Sequence, residues 1–164
     1  MHAVALVTGS PVTRLSCISS EVVTPLSDIE SREDCERLVR AFYARALTDP
    51  VIGFLFTDIA KLDLEEHVPR ITNFWATILL GARTYGGGAF RPHLELNFQV
   101  RLKAGHFERW LYLWRATVNE LFSGENAQLA VSHAERVAAA FLRRLESINT
   151  QLEPRLGAER VSSF

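Results

Sequence analysis

Two histidines set the question: His67 and His93 stand 26 positions apart in a stretch dense with aromatic residues. The other imidazoles are His2, His106 and His133, and the two thiols are Cys17 and Cys35. Any acid–base, nucleophilic or metal chemistry must be built from these and the carboxylates. Neither cysteine has a basic neighbour placed to lower its pKa, and Cys35 lies on an apolar helical stripe, so both read as structural. There is no CxxC, no CxxCH and no Cys/His set at zinc spacing, which argues against a disulfide framework, covalent haem attachment or structural zinc. GxSxG, HExxH, GxGxxG after a strand and the P-loop are also missing, and Gly86 to Gly88 follow a helix without the Lys and Ser/Thr that hold phosphate. What remains is His67 on one helix and His93 on the next, facing across a slot lined by Ile71, Phe74, Trp75 and Leu94, with Trp110 and Trp114 from the helix that follows. Such a slot suits a flat, apolar, iron-bearing ring, because one neutral imidazole can hold haem iron and leave the opposite face open to a diatomic ligand. His93 would be the proximal ligand; the sole methionine is Met1, so no buried thioether can serve as a second one. Spacing alone also allows His93, a lone histidine beside Pro92, to be a surface or satisfied core residue.

The elements that must position these groups are helical. "SRED" from Ser31 has the form of a capping box, followed by Cys35, Leu38, Val39, Phe42, Ala46 and Leu47 at helical spacing until "TDP" at 48 to 50. Asp63 with Glu66 offers a second cap ahead of the stripe Val68, Ile71, Trp75, Ile78 and Leu79, which stops at Gly81. Pro69 asks for a late-starting or kinked first turn there, and Pro92 for the first position of a short helix carrying "RPHLEL". A long pattern from Gly105 runs through Phe107, Trp110, Trp114 and Val118 to "SGEN", and a last helix carries Ala130, Ala134, Val137, Ala138, Phe141, Leu145 and Ile148. No repeat, alternating strand pattern or low-complexity segment interrupts this, so an all-α domain is expected. Residues 1–29 have no periodicity and read as loosely ordered, 30–149 as the domain, and 150–164 as a tail.

At 164 residues and 48% hydrophobic, the chain has the size of one domain with a real core. Lys+Arg 18 against Asp+Glu 19 gives a formal net charge of −1, so no global field favours nucleic acid or an anionic membrane. The longest apolar run, residues 71–82, is about twelve residues where a span needs about twenty. No basic region precedes the apolar N-terminal stretch, so a signal peptide is not expected and a reducing cytoplasm is the expected setting.

The segments "RAFYARALTDPVIGFLF", "EEHVPRITNFWATILLG", "RPHLEL" and "HFERWLYLW", in that order, resemble group III truncated haemoglobins over roughly residues 31–148. The resemblance implies a shortened globin fold, a two-over-two helical sandwich around non-covalent haem b. It puts the proximal iron ligand on His93, the distal tyrosine on Tyr43 beside Phe42, the distal histidine on His67 and the pocket tryptophan on Trp110. Phe56 matches the phenylalanine that packs on the haem, Arg70 would pair with a propionate, and Phe42, Ile71 and Trp75 complete the haem-contacting set. His106, despite its place in the recognisable "HFERW", begins the next long helix and reads as structural or capping. The 30-residue N-terminal extension and the tail depart from the compact family pattern.

The implied function is reversible binding of O2, NO or CO, in ligand scavenging or redox defence. One phenol or indole donor worth about 1 to 1.5 kcal/mol slows the escape of a partly negative ligand about tenfold, and two would make a slow carrier. The same pocket would also serve an NO dioxygenase or a peroxidase-like enzyme, needing a separate reductase because no flavin or NAD motif is present. Coordination by both His67 and His93 would give an electron-transfer or sensor protein instead, and a haemless helical interaction module is the remaining alternative.

Overall fold

The computed structural model describes residues 25–161, with side chains to residue 152. Five α-helices, α1 (Arg32–Ala46), α2 (Leu64–Leu80), α3 (Phe90–Gln99), α4 (Ala104–Leu121) and α5 (Glu125–Val161), are joined by loops and one π-helical turn at Leu55–Ile59. No strand occurs among the described residues, and no helix there is long and apolar enough to cross a membrane. The pair α1–α2 stacks on the pair α4–α5, giving the two-over-two sandwich, with α3 held against α5 and the π-helical turn.

The helix starts follow from local chemistry. Ser31 Oγ accepts from the Asp34 N–H at 3.1 Å while the Asp34 carboxylate accepts from the Ser31 N–H at 3.1 Å, which satisfies two of the orphan donors of the first turn. Asp63 caps α2 by accepting from Glu65 and Glu66, and Gly81, at φ +70, closes it in a left-handed conformation that costs glycine little. The Asp63 cap places the start of α2 at Leu64, so the late start expected from Pro69 does not occur and the proline lies inside the helix. Pro69 and Glu65 are both on the exposed face, where water can take the carbonyl that the missing N–H would have bonded. Pro92 occupies the third position of α3 rather than the first, still within the turn whose N–H groups have no intrahelical acceptor.

Two expectations for the chain ends change. Residues 27–29 are not loose: Ile29 is fully buried, and Asp28 caps α5 by accepting from the Asn126 and Ala127 N–H groups, each at 2.9 Å. Gly124 permits this, since a Cβ there would lie 2.3 Å from Asp28 Cγ. Residues 1–24 lie outside the described residues, and Cys17 with them. At the other end, α5 does not stop near Ile148 but runs on to Val161, through most of the expected tail.

The core is centred on Leu38, Val39, Phe42, Val68, Trp114 and Val118. Each such fully buried apolar side chain stabilises the fold by about 1.5–3 kcal/mol. Asp49, in the middle of the "TDP" turn, accepts from the Val51 and Ile52 N–H groups on one oxygen and from Arg109 Nε (2.9 Å) and Nη2 (2.7 Å) on the other, fixing that turn to α4. Cys35 is buried, and burial, with Asp34 next to it, pushes its thiol up to about 11, in keeping with a packing role.

Candidate functional site

An apolar-walled cavity of about 430 Å³ opens between α2, α3, α4, α5 and the π-helical turn. That volume lies within the few hundred to a thousand Å³ typical of ligand sites. Tyr43 enters from α1, Phe56 from the π-helical turn, His67, Arg70, Ile71 and Trp75 from α2, His93 from α3 and Trp110 from α4. The fold therefore brings eight of the nine site residues expected from the sequence to one space. Phe42 is the exception. It is buried behind the wall, edge-on to Tyr43, Trp110 and Trp114 at 5.2–5.3 Å, because its neighbour on α1 takes the cavity-facing position. Leu94 and Trp114, expected in the lining, do not reach the cavity either; Trp114 is sandwiched between Trp75 (4.5 Å) and Trp110 (5.5 Å), with Nε1 donating to the Ala130 carbonyl.

The two histidines are prepared differently. His93 Nδ1 lies 2.8 Å from the Ala89 carbonyl. A carbonyl only accepts, so Nδ1 carries the proton and Nε2 keeps its lone pair, the tautomer that a ligating histidine needs. Burial holds His93 below the ordinary imidazole range, opposed in part by that backbone bond, so the ring is neutral near pH 7. Phe141 of α5 packs against it at 4.8 Å. His67 Nε2 is instead 2.8 Å from the Tyr43 hydroxyl, with the rings edge to face at 5.3 Å. His67 is also held low, first by burial, then by the Arg70 charge and by repulsion from His93 once that ring takes up a proton. Tyr43 is buried and its phenol is pushed well above its ordinary value of 10, so it remains a protonated donor. Phe56 closes on Tyr43 at 5.8 Å with rings perpendicular.

Arg70 marks the rim. It is exposed, with Nη2 only 3.8 Å from where a Cβ on Gly88 would stand, and beyond it and Tyr85 lies an open, polar hollow of about 500 Å³. That hollow is lined by neither histidine nor Tyr43. His106 lines the cavity and also has a capping contact, its Nδ1 accepting from the Lys103 N–H at 3.3 Å. Sequence reasoning missed the α5 wall, made of Ala134, Val137, Ala138 and Phe141. Its signal was present as two alanines one turn apart followed by a phenylalanine, but small residues on a buried stripe also mean close helix packing.

No family model matches the chain. It is 31% identical over 114 residues to the group 3 truncated haemoglobin ctb of Campylobacter jejuni, an alignment covering 68% of this chain and 87% of that protein. The crystal structure of the group III truncated haemoglobin from Campylobacter jejuni superposes with a TM-score of 0.65 at 27% identity, covering 73% of this chain and 94% of that one. With the helical sandwich, the cavity and this degree of identity in hand, the chain belongs to the group III truncated haemoglobins.

Proposed function

We propose that this protein holds haem b in the apolar cavity through His93 and reversibly binds O2, NO or CO beside Tyr43, His67 and Trp110, in ligand scavenging or redox defence. The observation that carries the reading is the His93 contact, with Nδ1 committed to the Ala89 carbonyl and Nε2 left for a metal at the wall of a mostly apolar space. Among the described residues no three His, Cys, Asp or Glu side chains gather into a cage for a bare ion. A ring that brings four of its own nitrogens needs only this one imidazole. When bound, the haem supplies an iron with a position open to diatomic gases.

The chain's own residues do the rest. Phe56, Ile71, Trp75 and Phe141 would keep water from the ring, and Arg70 at the rim would neutralise a carboxylate. The Tyr43–His67 bond sets the donors on the far side. If His67 Nε2 carries the proton it donates to the Tyr43 oxygen, which frees the phenol proton for a partly negative guest; in the other tautomer Tyr43 donates to His67 and withholds it. Because His67 Nε2 is engaged with Tyr43, this arrangement favours an open iron position over coordination by both histidines.

The test is the absorption spectrum of the reduced protein with and without CO, compared with that of His93→Gly. The parent should give a five-coordinate ferrous spectrum that CO converts to a sharp new Soret band. His93→Gly should lose haem or hold it loosely, and added imidazole should restore the native spectrum. A variant that keeps the native spectrum without imidazole would reject the assignment of His93, and a parent that takes up no haem would reject the whole reading.

A further inference from the structure

The helix that carries His93 is ten residues long, too short to be stable in isolation, so its position must be set from outside. α5 holds it on both sides of the histidine. One turn before His93, Phe90 packs edge-on against Phe141 at 5.2 Å and lies under the Arg144 guanidinium at 4.2 Å. These contacts are apolar or broad in angle and tolerate a slide or a roll. One turn after His93 stands Asn97, which is 5% exposed and one of four buried polar residues in the described chain.

The Asn97 amide has a definite orientation. The Leu102 N–H donates to it at 3.0 Å, so the accepting atom must be Oδ1, and Nδ2 is then the atom that donates to Asn149 Oδ1 at 2.8 Å. A longer contact of 3.5 Å from Asn149 Nδ2 back to Asn97 Oδ1 closes the pair. One side chain thus ties α3, the connection into α4 and α5 together through directional bonds that a slide of either helix would break. His93 is in turn bonded to the backbone of its own helix at Ala89, so its ring moves with α3 as a body. Any roll of α3 swings Nε2 relative to the cavity.

We infer that Asn97 and Asn149 are positioning residues for His93: their side-chain pair fixes the azimuth and depth of the imidazole and so tunes the iron–imidazole bond. The inference rests on the assignment of His93 proposed above. A buried amide with two definite partners is more selective than an apolar residue of the same size, since only one register of α3 on α5 satisfies it.

The readout is the iron–imidazole stretching band in the resonance Raman spectrum of the ferrous, haem-loaded full chain, which a purely structural role would leave in place. Asn149→Ala and Asn149→Leu, which remove the acceptor while emptying or filling its volume, should both shift the band to lower frequency and broaden it. Asn149→Asp keeps an acceptor for Asn97 Nδ2 and should retain the parent's band position. A band unchanged in both Asn149→Ala and Asn149→Leu would overturn the inference while leaving His93 as the ligand. A parent whose ferrous iron is five-coordinate by absorption yet gives no iron–imidazole band would overturn the ligand assignment and this inference with it, so the two failures are told apart on one sample.

Discussion

The Tyr43 hydroxyl is a buried polar group in a mostly apolar wall, and removing it is the smallest change that separates donation from packing. In Tyr43→Phe the ring keeps its edge-to-face neighbours Phe42 at 5.2 Å and Phe56 at 5.8 Å, and only the bond to His67 Nε2 is lost. If that phenol is the donor to a partly negative guest, the variant should release O2 about tenfold faster, the equivalent of about 1 to 1.5 kcal/mol, while CO release changes far less. Stopped-flow ligand replacement on the two ferrous forms measures both rates. Equal acceleration of O2 and CO would mean that Tyr43 fills space and does nothing more. His67 enters the same experiment, because once the phenol is gone its half-buried Nε2 is left without that partner and is free to turn toward the cavity.

Capping by Asp28 acts across almost a hundred residues, tying the segment before α1 to the start of α5. Burial draws its carboxyl upward, but the N–H groups of Asn126, Ile29, Ala127 and Glu125 outweigh that and hold it below the ordinary carboxylate range. Asp28→Ala should therefore lower stability by about 1–2 kcal/mol, the usual effect of a lost cap, and speed amide exchange in the first turn of α5 before any other helix. Denaturant midpoints and exchange rates test this, and uniform loss of protection across all five helices would contradict it. The caps at Ser31 and Asp63 and the stop at Gly81 were legible because each is a contact between residues a few positions apart. Asp28 was not, since nothing local marks a cap whose helix begins at Glu125. The same division runs through the site. The α2 stripe of Val68, Ile71 and Trp75 can be read from its period, whereas the side of α1 that faces the cavity, which separates Tyr43 from Phe42, depends on how α1 sits against α2 and α4. Likewise, Ala134 and Ala138 are cavity wall only because α3 lies opposite them with His93 against Phe141. Periodicity names the buried face of a helix without saying whether protein or a guest lies against it.

The response of the whole molecule to pH follows from its histidines. His67, His93, His106 and His133 are all held below the ordinary value of 6.5, each first by burial and three of them further by nearby cations: Arg70 at His67, Lys103 at His106 and Arg136 at His133. The unfolded chain has no such restraint. Below about pH 6.5 it takes up protons that the folded chain refuses, so stability is complete above that value and declines as the pH falls toward the lowered folded values. Asp28, Asp34 and Asp49 are shifted the same way about their ordinary value of 3.8, so the stability they contribute is lost only in a second, more acidic range. The proposed ligation would work in the same direction, because a proton on His93 Nε2 would compete with the metal for one lone pair. Denaturant midpoints measured at intervals from about pH 8 to about pH 3 should show a plateau, a first decline beginning near 6.5 and a second below 4. In His133→Gln the first decline should be shallower, since one titrating group is removed at a half-buried position outside the cavity lining. A flat profile between about pH 7 and pH 5 would mean that the folded protein accepts protons on these imidazoles as readily as the unfolded chain does. In that case neutral histidines would not be what the packing around the cavity maintains.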